Sequence, residues 1–526
     1  MPEAKAFNFK DFFVENKYIL LFLAFLVAIS YANSLHNAFL SDDVPAIAMN
    51  PDISNFKLIF TTPFGILQRV LYFAAFKIGG LNPLYFRLPI VLFHLGATLS
   101  AFFVLYLIAP RSLAIIAATL FAVHPILTES VTWISGGGYA QQGFFFLLSL
   151  SMYILSKQNK KYYYFSLLFY LLAISASEKA VALCLAFPLY EIYFGNIRQN
   201  WKKSITFFSV SLAVTLFLLS GVGGRMNTLQ TNYYLAPGTD SLLTKVPTSV
   251  ASYFQLIFWP DKLTLYHTEM LFTPFQYWIT IFAFLIYVSS IIYFFKKEKL
   301  VSFWLIIFIL PLLATLSPLR IAWAVAERYA YLSTFGIIVL VAWVFYKLSE
   351  MKNIKITVYM IFWLIVFALS ARTIIRNQDW KDDETLWVAT EQVSPSGPNI
   401  HNNMGVIYQR KGENDKAIQE FALAVQINPQ YADAYHNLGN TYYQMQKYED
   451  AAKSYQAAIQ LNPHLWQSHQ NLAAIYFGQG WYDLAQQEIK KALEINPNEP
   501  NLLQNKTLIE SNLSSMPPLS DSAPAT

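Results

Sequence analysis

Apolar residues run almost unbroken from about position 18 to 375, interrupted only by short polar stretches. Crossing a bilayer takes about 20 apolar residues at the helical rise, and a helix satisfies its own backbone there. Each long run therefore predicts a helix. The first, Tyr18 to Ala32, follows Lys5, Lys10 and Lys17 and precedes no small-x-small cleavage site, so it reads as an uncleaved span with a cytoplasmic N-terminus. Further spans are predicted at 83–108, 112–130, 140–156, 162–176, 180–195, 204–222, 274–295, 300–316, 329–347 and 354–373. The segment 247–259 is shorter and ends in Trp259-Pro260-Asp261, so it reads as re-entrant or interfacial. From 376 to 500 the pattern becomes that of a polar, amphipathic helical domain. The expectation is an all-α chain in two parts: a multi-spanning unit over 1–376 and, after a connector at 377–393, a helical solenoid over 394–513.

The solenoid is marked by repetition. Asn428-Pro429, Asn462-Pro463 and Asn496-Pro497 recur every 34 residues, and Pro395 stands 34 before Pro429. In the same frame fall Tyr408, Tyr442 and Tyr476; Ala417, Ala451 and Ala485; Ala424, Ala458 and Ala492; and Gly405, Gly439 and Ala473. This is the tetratricopeptide period with its small/aromatic pattern. Small residues let paired helices approach, and proline cannot continue a helix. Three repeats are predicted at about 396–429, 430–463 and 464–497, with a covering helix at 499–513 and a disordered Ser/Pro/Ala tail over 514–526. A repeat array binds or spaces; it does not by itself name a ligand.

Composition agrees with the division. The chain has 526 residues, 55% hydrophobic and 13% charged, with mean hydropathy +0.36; a soluble globular protein carries about 25% charged residues. The net charge of +5 implies no nucleic-acid partner, because the basic residues cluster in short loops between apolar runs. Arg111, Lys157, Lys160, Lys161, Arg198, Lys202, Lys203, Lys296, Lys297, Lys299, Lys347, Lys352 and Lys355 fall on one side in an alternating count, the cytoplasmic side by the positive-inside rule. With 247–259 not crossing, the count gives about eleven crossings and an extracytoplasmic C-terminus. Cys184 is the only cysteine, so no disulfide can form within the chain.

Four clusters carry candidate chemistry, all on the outer side in this topology. Asp42 and Asp43 follow the first span. One carboxylate can act while the other orients, both can reach a divalent metal, or the pair can be a solvated loop or a helix cap. His124 and Glu129 lie at a span end, where ionisable groups are costly and face cavities or bond to backbone. Glu178 and Lys179 sit on a turn, as site groups or as interfacial snorkelling. Glu327, Arg328 and Tyr329, preceded by Arg320, offer a guanidinium fork suited to phosphate, or an internal charge balance.

Together these segments resemble a family. The Asp42-Asp43 pair with Asn50-Pro51-Asp52, the His124-Pro125…Thr128-Glu129 segment, Glu327-Arg328-Tyr329-Ala330-Tyr331-Leu332, and Trp380…Glu384…Leu386 leading into the repeats resemble the transmembrane and tetratricopeptide-repeat O-mannosyltransferases, in the same order. The chain departs from that pattern at Gly136-Gly137-Gly138-Tyr139, where the family continues Gly-Arg-Ala-Asp, and at Glu178-Lys179, where the family has the reverse order. The resemblance implies the C-type glycosyltransferase fold and transfer of a sugar from a polyprenyl-phosphate carrier outside the cytoplasm.

It also implies roles. One of Asp42 and Asp43 removes the acceptor's proton, and Arg328, Arg320 and Lys179 bind the departing phosphate. His124, Glu129, Glu178, Glu327 and Tyr329 shape the cavity. The acceptor is a protein hydroxyl or a glycan, and the repeats hold the acceptor or a protein partner. No cofactor is demanded; a divalent ion at Asp42/Asp43 is compatible with the pair. A glycan ligase or polymerase would share the outward site. A non-enzymatic envelope-assembly scaffold would need far fewer spans.

Overall fold

A computed structural model describes residues 7–60, 65–220, 241–268, 273–316 and 324–514. Among them the chain is all-α and divides into a membrane unit ending at Ala389 and a repeat unit beginning at Thr390.

The membrane unit contains helices α1 (Phe9–Tyr31), α2 (Ile66–Gly79), α3 (Pro83–Ile108), α4 (Arg111–Val123), α5 (Thr128–Thr132), α6 (Gly138–Leu155), α7 (Lys161–Ala176), α8 (Ala186–Tyr193), α9 (Ile197–Ser220), α10 (Leu242–Phe258), α11 (Pro274–Lys297), α12 (Lys299–Ile309), α13 (Tyr331–Ser349) and α14 (Lys355–Asp379). Among the described residues six segments are long and apolar enough to cross a membrane: those of α1, α3, α9, α11, α13 and α14. A seventh arises if α4 and the segment after it form one span bent by 53°. The chain is a multi-pass membrane protein. In α11 only 11% of the apolar window is buried by protein, against 61% in α3. Phe282, Leu285 and Ile286 of α11 would be costly to leave in water, and lipid is the solvent that suits them.

Local chemistry breaks two of the predicted spans. Within 112–130 the helix stops at Val123 because His124 precedes Pro125 and takes an extended conformation (φ −73°, ψ 123°). Its imidazole then accepts the Ile126 N–H at 3.3 Å and starts the next short segment. The run 180–195 begins as a 3₁₀ segment, Glu178–Leu185, and becomes α-helical only as α8. Pro188 lacks the N–H that would bond back to Cys184, so it sits in the first turn of α8 instead of mid-helix. The segment 247–259 is helical as far as Phe258, the end of α10, and Trp259 caps it.

Helix α15 (Asp383–Val393) runs across the division at Ala389–Thr390, and three helical pairs follow: α16 (Pro398–Arg410) with α17 (Asn414–Ile427), α18 (Ala432–Gln444) with α19 (Tyr448–Leu461), and α20 (Trp466–Gly478) with α21 (Tyr482–Ile495). α22 (Pro500–Ser514) follows and packs on α21 through Leu502 and Ile509. The in-phase alanines 417, 424, 451, 458, 485 and 492 are all fully buried. A methyl on Gly405 would lie 2.6 Å from the Phe421 ring, and one on Gly439 would lie 2.6 Å from the Tyr455 ring. Close helix approach therefore sets the small positions of the repeat. Residues 515–526, where a disordered tail was expected, lie outside the described residues.

Candidate functional site

The loop after α1 is pinned from below by a buried arginine on α3. Arg87 donates to the carbonyl oxygens of Asn37 (2.6 Å), Ala38 (3.0 Å) and Leu35 (3.4 Å), and to that of Thr132 (2.6 Å). Four of its five donors go to backbone carbonyls, so its main role is to shape the loop.

This loop sends the two aspartates to different places. Asp43 is fully buried. Its Oδ1 accepts the Ser135 N–H at 2.8 Å and the Ser135 hydroxyl at 2.5 Å, and Oδ2 accepts the Leu40 N–H at 3.3 Å. Burial pushes its pKa up to about 6, against the pull of those bonds and of Arg87. Asp42 is exposed at its surface. Desolvation by its surroundings also raises its pKa, with the Arg328 charge opposing. The pair is thus one anchor and one accessible carboxylate. Among the described residues the two do not belong to a metal-ligand cluster.

Arg328 is held by Glu129. Its backbone N–H donates to Glu129 Oε2 at 2.6 Å, and its Nη1 donates to Oε1 of the same carboxylate. Among the described residues no hydrogen bond comes from its Nε or Nη2. The guanidinium lies 5.4 Å from the Trp133 ring centroid and 5.0 Å from that of Tyr329. This is a fixed cation with donors to spare, the form suited to an anionic ligand. Lys179 lies beyond it, with Nζ 2.9 Å from the Tyr139 hydroxyl and 3.0 Å from the Tyr329 ring centroid. Lys179, Tyr139 and Tyr329 line a small pocket with Gln142, Pro311 and Tyr331.

The remaining candidates sit around this centre in different ways. Glu327 does not pair with its neighbour Arg328. It is buried, accepts the Thr264 N–H, and lies 3.4 Å from Arg376, whose other nitrogen reaches Asp379 at 2.8 Å. His124 turns away: its Nε2 lies 2.9 Å from the Ile257 carbonyl oxygen, and its Nδ1 caps the following segment. Glu178 is partly buried, one residue before Lys179. Arg320 lies outside the described residues.

Sequence reasoning passed over Arg87, Ser135 and Arg376. A charged side chain inside the apolar run 83–108 was a usable sign for Arg87; Ser135 carried none.

Comparison with known proteins then bears on the arrangement. Residues 410–446 match the family TPR repeat, and residues 432–465 and 466–499 match the family Tetratricopeptide repeat. Protein O-mannosyl-transferase TMTC3 of Mus musculus is 24% identical over 461 residues, 76% of this chain and 50% of that protein. The Homo sapiens TMTC3 is 25% identical with the same coverage, and Homo sapiens TMTC1 is 35% identical over 134 residues, 22% of this chain and 15% of that protein. The chain is similar to the transmembrane and tetratricopeptide-repeat O-mannosyltransferases. The resemblance to that family holds at the level of the chain, which spans about half the length of the curated TMTC3 relatives it matches. Solved repeat structures also align, including the first repeat domain of Spaghetti (RPAP3) bound to an HSP90 peptide (20% identity, 22% of this chain, 94% of that chain, TM-score 0.22) and MamA (21% identity, 29% and 85%, TM-score 0.21).

Proposed function

We propose that the chain is a membrane glycosyltransferase that moves a hexose from a polyprenyl-phosphate donor to an acceptor hydroxyl on the extracytoplasmic face. The relatives' name suggests mannose and a protein acceptor. The observation that carries the reading is an arginine, Arg328, fixed by Glu129 with no hydrogen bond from Nε or Nη2 among the described residues, together with an exposed carboxylate, Asp42, whose ionised form the Arg328 charge favours.

In this reading Asp42 takes the proton of the acceptor hydroxyl. The acceptor oxygen forms its bond to the anomeric carbon while the bond from that carbon to the phosphate oxygen breaks. The electron pair leaves with the lipid phosphate, whose charge Arg328 and Lys179 meet. Asp43 and Glu129 act as positioning residues, the first holding Asp42's loop and the second holding Arg328. Embedding in the bilayer suits a donor whose phosphate lies at headgroup depth. The repeats supply a concave face for the acceptor or a partner.

The test is turnover of purified Asp42→Asn with a lipid-linked sugar. The amide keeps the shape and removes the charge, so turnover should fall by about 10²–10⁴ while donor binding persists. Full turnover in this variant would refute the catalytic role.

A further inference from the structure

One titratable cluster lies at the start of the repeats. His401 on α16 is buried, and its Nε2 lies 2.8 Å from the Pro395 carbonyl oxygen. A carbonyl oxygen only accepts, so Nε2 is protonated, and Nδ1 faces the carboxylates either through an N–H or, where a metal ion replaces that proton, through its lone pair. Nδ1 lies 2.8 Å from Glu420 Oε2 on α17 and 3.9 Å from Glu391 Oε1 on α15. One ligand atom from each of the three residues lies within 4.8 Å of the others. Two carboxylate oxygens and an imidazole nitrogen converging on one point can hold a metal ion in place of the imidazole proton.

The array contains its own comparison. His469 and Glu488 stand two repeats further on and make the same bonds: Nδ1 to Glu488 Oε2 at 2.5 Å and Nε2 to the Pro463 oxygen at 3.2 Å. There a proton on the imidazole suffices. The position equivalent to Glu391 is Ile459, so that pair has no third acceptor from this position. Glu391 is therefore an addition to a pair already complete. Burial and the neighbouring Glu420 both push its pKa up, with His401 opposing.

We propose that Glu391, His401 and Glu420 form a binding site for a divalent transition ion of the zinc type, with water completing the coordination. An imidazole nitrogen with two carboxylate oxygens suits zinc. Adjacent ligand atoms of a tetrahedral zinc stand roughly 3.3 Å apart at the usual bond lengths, and the observed 2.8 and 3.9 Å bracket that spacing. The Pro395 carbonyl plays the part of the outer partner that fixes a ligating imidazole's tautomer. Glu391 is one-third exposed and gives the ion a way in. The bound ion joins the last turn of α15 to both helices of the first repeat, the end of a solenoid that most needs a cap.

The experiment uses the full-length chain in detergent, stripped with a chelator and dialysed against buffered free zinc. Elemental analysis should find one more zinc per chain in the wild type than in Glu391→Gln. Zinc should raise the thermal midpoint of the wild type and not of that variant, with at least a tenfold loss of affinity. Glu391→Gln leaves the His401–Glu420 pair in place, so helical circular dichroism should match the wild type and keep the comparison fair. Glu488→Gln should bind zinc as the wild type does. Equal zinc in the wild type and Glu391→Gln, or none in either, overturns the site. An equal thermal response to calcium or magnesium overturns the choice of ion.

Discussion

Burying Asp43 has a measurable consequence for stability. Its ordinary pKa of 3.8 rises to about 6 in the folded chain. The folded state therefore prefers the protonated acid more strongly than the unfolded chain does. Its contribution is fully present below the unfolded value and is lost as pH climbs through about 6. A shift of about 2 units at 1.36 kcal/mol each makes this loss about 3 kcal/mol between pH 4 and pH 7. Asp43→Asn removes the titration. It keeps an oxygen for Ser135 and places an amide against the Leu40 N–H, a cost of about 1 kcal/mol that does not vary with pH. The variant can therefore start below the wild type at pH 4, but the difference must move in its favour as pH rises. Thermal unfolding midpoints of both proteins in the same detergent from pH 4 to 7.5 measure this directly. A difference that stays flat refutes the raised pKa. A difference that moves toward the wild type means that Ser135 and Arg87 outweigh burial, and the aspartate is then ionised throughout.

Two further perturbations separate structural from chemical roles. Arg328→Ala leaves Glu129 buried without its cation and should cost about 3–5 kcal/mol; adding Glu129→Gln should restore folding. Turnover per folded molecule should stay low in that double variant if Arg328 meets the donor phosphate, and should recover if the pair is only structural. Gly136→Ala would place a methyl 2.6 Å from the Glu129 carbonyl oxygen and 3.0 Å from the Trp133 ring. It should lower stability by about 1–3 kcal/mol, read as a fall in thermal midpoint; an unchanged midpoint would mean that the turn relaxes freely.

The repeats were legible in the sequence because each repeated position has a local reason. The small residues stand where a helix backbone meets a ring, as Gly405 meets Phe421 and Gly439 meets Tyr455. The apolar runs were legible as helices because hydropathy and length suffice for that reading. Bends were readable only where proline stands, and the break at His124-Pro125 places Glu129 in a short helix of its own. The pairing of charges was not legible. Glu129 and Arg328 are 199 positions apart, and Ser135 reaches Asp43 across 92. Adjacency in sequence pointed instead to Glu327 as the partner of Arg328, yet Glu327 serves Thr264 and Arg376.

That misdirection follows from backbone geometry. Successive side chains leave the chain in different directions, so two neighbouring ionisable residues at a buried boundary cannot share one environment. In Asp42-Asp43 the second residue turns inward and is tied to Ser135, which leaves the first at the surface. In Glu327-Arg328 the first turns inward and is tied to Thr264 and Arg376, which leaves the second with donors to spare. In the proposed reaction each doublet sets a fastening residue beside an acting one. The inward member fixes the backbone, and a fixed backbone is what holds the outward member still enough to act, since a side chain misplaced by about 1 Å can cost about 10²-fold in rate. The inward residues are therefore no less necessary than the outward ones, but they should fail differently. Truncating Asp43 or Glu327 to alanine should disturb folding and the position of a loop, whereas removing the Asp42 charge should leave the fold intact and stop the chemistry.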